Sequence, residues 1–168
     1  TGGGETLEPQ ATAVVPGEPR GLVLAFGADG AAPTLFTASS AGLQRWNAAT
    51  LGMPQEISAG DVTGVALSPD QKTIVFGGAD GRVMLHGLDT GETTTLPYPA
   101  QTDQSEITSV AYSRDGWVAA GRADGRIALW DIRSGLGGGR VLDAFAARRG
   151  GGAGSGGGRQ RNGLAGRG

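Results

Sequence analysis

The chain has 168 residues, of which 33 are Gly, 18% are charged, 5% are aromatic and none is Cys. This length suits one compact domain, with or without a tail. The absence of Cys excludes disulfide bonds, thiolate metal sites and thiol catalysis. No stretch approaches the roughly 20 apolar residues that a membrane-spanning helix needs, so we expect no membrane partner. Because aromatic residues are few, we expect a core of Val, Leu, Ile and Ala.

Charge is distributed unevenly along the chain. Residues 1–139 carry 8 Lys or Arg against 15 Asp or Glu, a net charge of −7, whereas residues 140–168 carry 6 Arg against a single Asp, a net charge of +5. An acidic body and a basic end indicate two regions with different physical behaviour. The chain begins Thr-Gly-Gly-Gly without an initiator Met, which indicates a processed or excerpted segment. No signal peptide is visible, and the compartment stays open, with the cytoplasm favoured.

The first part of the chain contains a linker and a first repeat. We expect residues 1–20 to be the linker, with a short strand at residues 13–15. The first repeat spans residues 21–60 and includes a β-rich block that ends at Trp46. A looser segment at residues 24–29 fits the same frame as residues 65–70 of the next repeat.

The second repeat, residues 61–104, shows its strands most clearly. Turn residues divide its β-rich segments, beginning with a Ser-Pro-Asp turn at residues 68–70. The Ala-Asp-Gly sequence at residues 79–81 predicts a tight hairpin, because Gly accepts the positive φ that primed turns require. The predicted strands are residues 62–68, 73–77, 83–86 and 93–96.

The third repeat, residues 105–142, aligns closely with the second. Residues 120–130 match residues 76–86 without gaps, and both copies contain Ala-Asp-Gly-Arg followed by a β-branched residue. The matching block of every repeat ends at an anchor position. The three anchors are Trp46, His86 and Trp130, and they are spaced by 40 and 44 residues. Four short strands per 40–45 residues, about the length of one propeller blade, predict an all-β fold without long helices.

These repeats resemble the WD-repeat family. The resemblance covers about residues 21–142 and depends most on Trp130-Asp131, the dipeptide that names the family, and on the Ser-Pro-Asp turn. It implies three four-stranded antiparallel β-propeller blades in an incomplete ring, and it makes residues 13–15 the outer strand of a preceding blade. The structural anchors that it implies are Trp46, His86, Trp130, Asp80, Asp124 and Asp131.

The repeats depart from the family pattern at several of these positions. The first repeat ends Trp46-Asn47, and the second ends His86-Gly87. Ser40 replaces the hairpin Asp in the first repeat, and no repeat has the Gly-His pair that often precedes the first strand. We therefore expect the Ser/Thr–His–Asp–Trp hydrogen-bond network of well-formed blades to be incomplete.

The residue inventory argues against catalysis and cofactor binding. A Ser–His–Asp arrangement would have to use the single His86, whose repeat position favours a packed anchor instead. The Gly pattern at residues 152–157 lacks the flanking strand and helix of a dinucleotide site. The Asp residues recur at turns, where they bond to the local backbone. We expect no enzyme activity, no cofactor and no metal.

Three Arg residues are candidates for contact with a partner. Arg82 and Arg126 follow Asp-Gly directly, and Arg122 lies just before the hairpin. The resemblance places these hairpins on the face that also carries the loops between blades. There a guanidinium group can bind an acidic partner bidentately, or it can simply pair with a neighbouring Asp in solvent.

The tail, residues 143–168, is rich in Gly and Arg and is expected to be disordered. From residue 150 onward it has only one large apolar side chain, Leu164. Arginine–glycine segments can bind RNA, although this one has no aromatic residue after residue 145 to stack on bases. A flexible linker or disordered end is the simpler interpretation.

The leading functional hypothesis is a non-enzymatic protein–protein interaction scaffold, with RNA binding through the tail as one alternative. A second alternative is a sensor or regulatory appendage of a larger signalling enzyme. Three blades leave two faces open, so further blades or self-association should complete the ring. We expect twelve or thirteen strands, and the side chains that should be largely buried are Val65, Leu67, Val75, Val83, Leu85, Val110, Tyr112, Ile127 and Leu129.

Overall fold

The computed structural model describes residues 11–26, 33–98, 105–134 and 140–143. These residues form three sheets, each of four antiparallel strands, which confirms the predicted all-β fold. The first sheet contains β1 (Pro19–Ala25), β2 (Thr34–Ser39), β3 (Gly42–Asn47) and β4 (Gln55–Ala59). The second contains β5 (Val62–Leu67), β6 (Thr73–Gly78), β7 (Val83–Gly87) and β8 (Thr93–Thr95). The third contains β9 (Ile107–Tyr112), β10 (Trp117–Arg122), β11 (Arg126–Asp131) and β12 (Arg140–Asp143).

Each sheet is one propeller blade, and we number the blades in chain order. A short 3-10 turn, Ile132–Ser134, follows β11. Residues 13–15 are not in a strand, because an outer strand there would need a preceding blade to pair with. The predicted disordered tail lies outside the described residues, apart from Asp143 at the end of β12.

The hairpins between the second and third strands of a blade are the most regular local feature. In the second and third blades they are three-residue turns that end in Gly81 and Gly125, whose φ angles are +77° and +82°. Only Gly adopts such angles without strain, as the Asp-Gly sequence predicted. In the first blade the turn is one residue shorter, with Ser39 directly opposite Gly42.

The register of the first repeat also differs from its sequence alignment with the second. Leu24 lies opposite Leu35, as Leu67 lies opposite Ile74 in the second blade. Leu24 therefore occupies the position of Leu67, two residues away from the alignment that sequence comparison gives. This offset exceeds the one residue missing from the β2–β3 turn, because the connection between β1 and β2 also differs in length, with eight residues against five in the second blade.

Two apolar clusters hold the three blades together. Gly77 permits one close approach, since a Cβ atom there would collide with the Ile107 side chain from the first strand of the third blade. The cluster between the first and second blades has these buried members: Ala25, Phe36, Ala38, Leu43, Val62, Ile74 and Phe76. The cluster between the second and third blades has these: Val75, Val83, Leu96, Ile107, Val118, Ala120, Ala128 and Trp130.

The expected burial holds for most of the recurring strand positions. Val75 and Val83 are fully buried, and six of the others are half-buried. The expectation is wrong for Ile127, which is 42% exposed. Ile127 occupies the register position of Val83 and Leu43, but the described structure places no blade against its side of the third blade.

Candidate functional site

The anchor of the third blade is Trp130, which is 3% exposed at the end of β11. Its indole Nε1 donates a hydrogen bond to the Pro97 carbonyl oxygen at 2.8 Å. Its ring meets the Tyr98 ring edge-to-face, with the centroids 5.1 Å apart. Because Pro97 and Tyr98 follow the outer strand of the second blade, Trp130 links two blades.

Arg122 extends this linkage from the other side of Tyr98. Its guanidinium carbon lies 5.3 Å from the centre of the Tyr98 ring, and its Nη2 lies 3.4 Å from Asp124 Oδ2. The Arg122 side chain is only 1% exposed. The structure thus places Arg122 between blades, where its guanidinium group cannot contact a partner at the surface as the sequence suggested.

Burial raises the pKa of Tyr98 to about 12, so the phenol is neutral at physiological pH. Its hydroxyl oxygen is buried and has no hydrogen-bond partner within the described part of the chain. Sequence reasoning missed Tyr98, because nothing local in the Pro-Tyr-Pro segment indicates its contacts with residues of the next repeat.

We expect Tyr98→Phe to leave the free energy of unfolding unchanged or to raise it by up to about 1 kcal/mol, since it removes an unsatisfied buried hydroxyl and keeps both ring contacts. Tyr98→Ala is the matched comparison and should be strongly destabilising. Urea denaturation measures both. A large loss of stability in Tyr98→Phe would show that the hydroxyl has a partner after all.

The other two anchors, Trp46 and His86, form hydrogen bonds with side chains of their own blades. Trp46 Nε1 donates to Thr37 Oγ1 at 2.9 Å inside the first blade. His86 Nδ1 lies 2.9 Å from Thr93 Oγ1 in the second blade, and His86 is half-buried. Burial, and secondly the positive charge of Arg45, lower the pKa of His86, so this anchor is neutral at pH 7.

The residue after each anchor also differs between blades. Asn47 Oδ1 accepts hydrogen bonds from the backbone N–H groups of Ala49 and Thr50, at 3.0 and 3.2 Å. Asp131 Oδ1 accepts one from the backbone N–H of Arg133 at 3.1 Å. Gly87 has no side chain to accept such bonds in the second blade.

Arg82 and Arg126 lie at the exposed ends of the second and third hairpins, at equivalent positions. Their side chains are 60% and 42% exposed. Each pairs with the hairpin Asp two residues earlier: Arg82 with Asp80 at 3.6 Å, and Arg126 with Asp124 at 3.4 Å. Each Asp also accepts the backbone N–H of its Arg through Oδ1, which fixes the turn and directs both Arg side chains from the same end of their blades.

The outer faces of the first and third blades carry exposed apolar side chains. On the first blade, Leu22, Leu24 and Phe26 are 69%, 45% and 71% exposed. On the third blade, the exposed large apolar side chain among the described residues is Ile127. Two of the equivalent residues in the second blade, Val65 and Leu67, pack against the core cluster that it shares with the first blade.

The described residues contain no group of three or more His, Cys, Asp or Glu side chains arranged to hold a metal ion. Among those residues, too, no helix could cross a membrane.

Two segments of the chain match a known protein family. The family model for the WD domain, G-beta repeat, matches residues 54–86 and 93–131. Each match runs from the outer strand of one blade to the anchor of the next, so each family repeat bridges two blades. No curated protein matches the chain.

Among solved structures, the chain is similar to the crystal structure of the computationally designed Ika8 protein. The two share 28% sequence identity with a TM-score of 0.53, and the match covers 71% of this chain and 35% of that one. The chain thus spans about a third of the length of that structure. The repeat matches, the four-stranded blades and the Trp anchors together identify residues 54–86 and 93–131 as WD repeats.

Proposed function

We propose that this chain is a non-enzymatic scaffold for protein–protein interaction. WD repeats in general bind other proteins and generally serve as scaffolds rather than enzymes. The observation that carries the proposal for this chain is the exposed apolar side chains on the outer faces of the first and third blades, Leu22, Leu24 and Phe26 on one and Ile127 on the other. A soluble protein rarely exposes such faces unless another surface covers them.

Comparison of equivalent positions supports one kind of covering surface, a further blade. Leu43 and Val83 are fully buried, each beneath the next blade. Ile127 has the same register on the third blade and lacks such a cover in the described structure. A further blade is the surface that fits, because the second and third blades already pack against the same pattern of side chains.

For this chain alone, the covering blade comes from a second copy. The first blade of one copy would meet the third blade of another, so that Leu22, Leu24 and Phe26 lie against Ile127. Such a contact joins two different faces and can either close into a ring or continue into an open chain. Sedimentation of the chain and of variants at these faces tests the proposal.

The hairpin arginines are the second interaction surface that we propose. Arg82 and Arg126 repeat at the spacing of adjacent blades, and their guanidinium groups are exposed. They fit an acidic partner whose carboxylates exchange for the weak, solvated pairs with Asp80 and Asp124.

We expect the double variant Arg82→Gln/Arg126→Gln to bind a fluorescein-labelled Glu-Gly-Glu-Gly-Glu peptide about tenfold more weakly, equivalent to about 1.4 kcal/mol. Fluorescence anisotropy at low and physiological salt measures the affinity for the peptide. Added salt should weaken peptide binding by the wild-type chain more than binding by the variant. Arg133→Gln is the matched control, since Arg133 is exposed near the opposite end of the third blade. An equal loss of peptide affinity in the control would mean that the overall charge of the chain, and not the position of the hairpin arginines, determines binding.

A further inference from the structure

A cleft of about 430 Å³ lies between the first and second blades. Strands β3 and β4 form one wall, which includes Arg45, Glu56 and Ile57, while His86 and the turn after it form the other. Cavities of this size are in the range that accommodates small ligands or a few residues of a peptide. Neither the end faces nor the hairpin arginines are part of this cleft.

The cleft occurs where the second blade has lost its Trp anchor. At the next boundary the Trp130 indole fills the equivalent position and packs against Tyr98. The imidazole of His86 is smaller than an indole, bonds to Thr93 and lines the cleft instead of filling it. The change of anchor thus leaves open space at the boundary between the first and second blades.

The turn beside the cleft also lacks an acceptor that the other blades supply. In the first blade, Asn47 Oδ1 accepts the backbone N–H groups of Ala49 and Thr50. The equivalent groups in the second blade belong to Asp89 and Thr90, and they have no acceptor within the described part of the chain because Gly87 has no side chain. Thr90 Oγ1 lies where a side chain of residue 87 would begin, and its own proton is available for donation.

Arg45 provides a positive charge on the facing wall. The side chain is exposed, and no carboxylate of the described residues lies within ion-pair distance of it. The nearby Asp89 pairs instead with Lys72 at 3.9 Å. A guanidinium group opposite unpaired N–H and O–H donors is an arrangement that binds an oxyanion.

We propose that this cleft binds a single carboxylate of a partner peptide, held by Arg45 on one side and by the turn of residues 87–91 on the other. The ligand oxygen takes the place of the missing side-chain oxygen of residue 87. Because Glu56 and Asp89 also line the cleft, a peptide rich in acidic residues is repelled. The peptide that fits has one carboxylate next to a basic side chain, which these two residues can pair with.

The test is fluorescence anisotropy of fluorescein-labelled Gly-Lys-Asp-Gly amide with the full chain, which works in any association state. The matched Gly-Lys-Asn-Gly amide lacks the carboxylate, and we expect it to bind at least about tenfold more weakly. A third probe, labelled Gly-Lys-Gly with a free C-terminus, distinguishes a main-chain carboxylate from a side-chain one.

Three variants locate the binding in the cleft. Arg45→Gln removes the charge. Gly87→Asp supplies an internal carboxylate for the turn donors once the Thr90 side chain rotates away from the new Cβ atom. Each variant should abolish discrimination between the Asp and Asn peptides. His86→Trp should fill the cleft and block all three probes, with unchanged or slightly increased stability. Arg133→Gln should bind like the wild-type chain, and far-UV circular dichroism checks that each variant is folded.

Equal affinity for the Asp and Asn peptides would overturn the proposal, as would discrimination that persists in Arg45→Gln. Neither result would affect the scaffold proposal, which depends on the end faces and on Arg82 and Arg126.

Discussion

Replacement of Trp130 by Ala should lower the free energy of unfolding by about 3–5 kcal/mol, the usual range for removal of a large buried aromatic side chain. Trp130 is 3% exposed, so its loss leaves a cavity between the second and third blades. It also removes the donor to the Pro97 carbonyl and the edge-to-face contact with Tyr98. A domain with a typical stability of about 5–15 kcal/mol would lose much of its margin.

Urea denaturation at two protein concentrations measures this effect and separates it from association. Trp117→Ala is the matched control, because Trp117 is only half-buried and its ring is covered on one side by Arg133, with the guanidinium carbon 5.8 Å from the ring centre. Its loss should be clearly smaller. An unchanged denaturation midpoint in Trp130→Ala would contradict our interpretation that Trp130 is the structural anchor of the third blade.

The chain alone should self-associate at micromolar concentration, through contact between the outer face of the first blade and that of the third. The driving force is burial of apolar surface at Leu22, Leu24, Phe26 and Ile127, at roughly 25 cal/mol per Å². The net charge of −7 on residues 1–139 opposes this only weakly, because salt screens exposed charges beyond about 8–10 Å. Two copies can close into a ring of six blades, or the contact can repeat into larger oligomers.

Sedimentation equilibrium distinguishes these states from a monomer. Leu22→Glu and Ile127→Glu each place a charge in the contact, so either variant should shift the chain strongly toward monomer. Met53→Glu is the matched control, because Met53 is 99% exposed but lies in the turn between β3 and β4. If the wild-type chain stays monomeric and folds cooperatively at high micromolar concentration, the exposed apolar side chains of the first and third blades do not need to be buried by another blade.

The parts of the fold that the sequence predicted are those determined by neighbouring residues. The hairpins at Asp80 and Asp124 follow from Asp-Gly, since the Asp side chain bonds the backbone two residues on and Gly takes the positive φ. The position of Trp130 follows from its place at the end of a repeating strand. These features need no knowledge of distant contacts.

The features that the sequence did not predict depend on contacts between blades. Arg122 is buried because Tyr98, from the preceding repeat, covers its guanidinium group. Ile127 is exposed because its face has no neighbour in the described structure, although its own sequence is as apolar as that of Val83. The candidate cleft depends on Arg45 and on the turn after His86, which are on different blades and are brought together only by folding.

The second blade, which has a neighbour on each side, is also the blade that has lost both residues of the Trp-Asp pair. The first and third blades have one neighbour each in the described structure, and both retain their Trp. A repeat that packs against neighbours on both sides gains much of its stability from them, so the fold can tolerate the loss of that repeat's own anchor. In the second blade this loss leaves a cleft beside His86. A missing anchor can thus create new surface without loss of the fold.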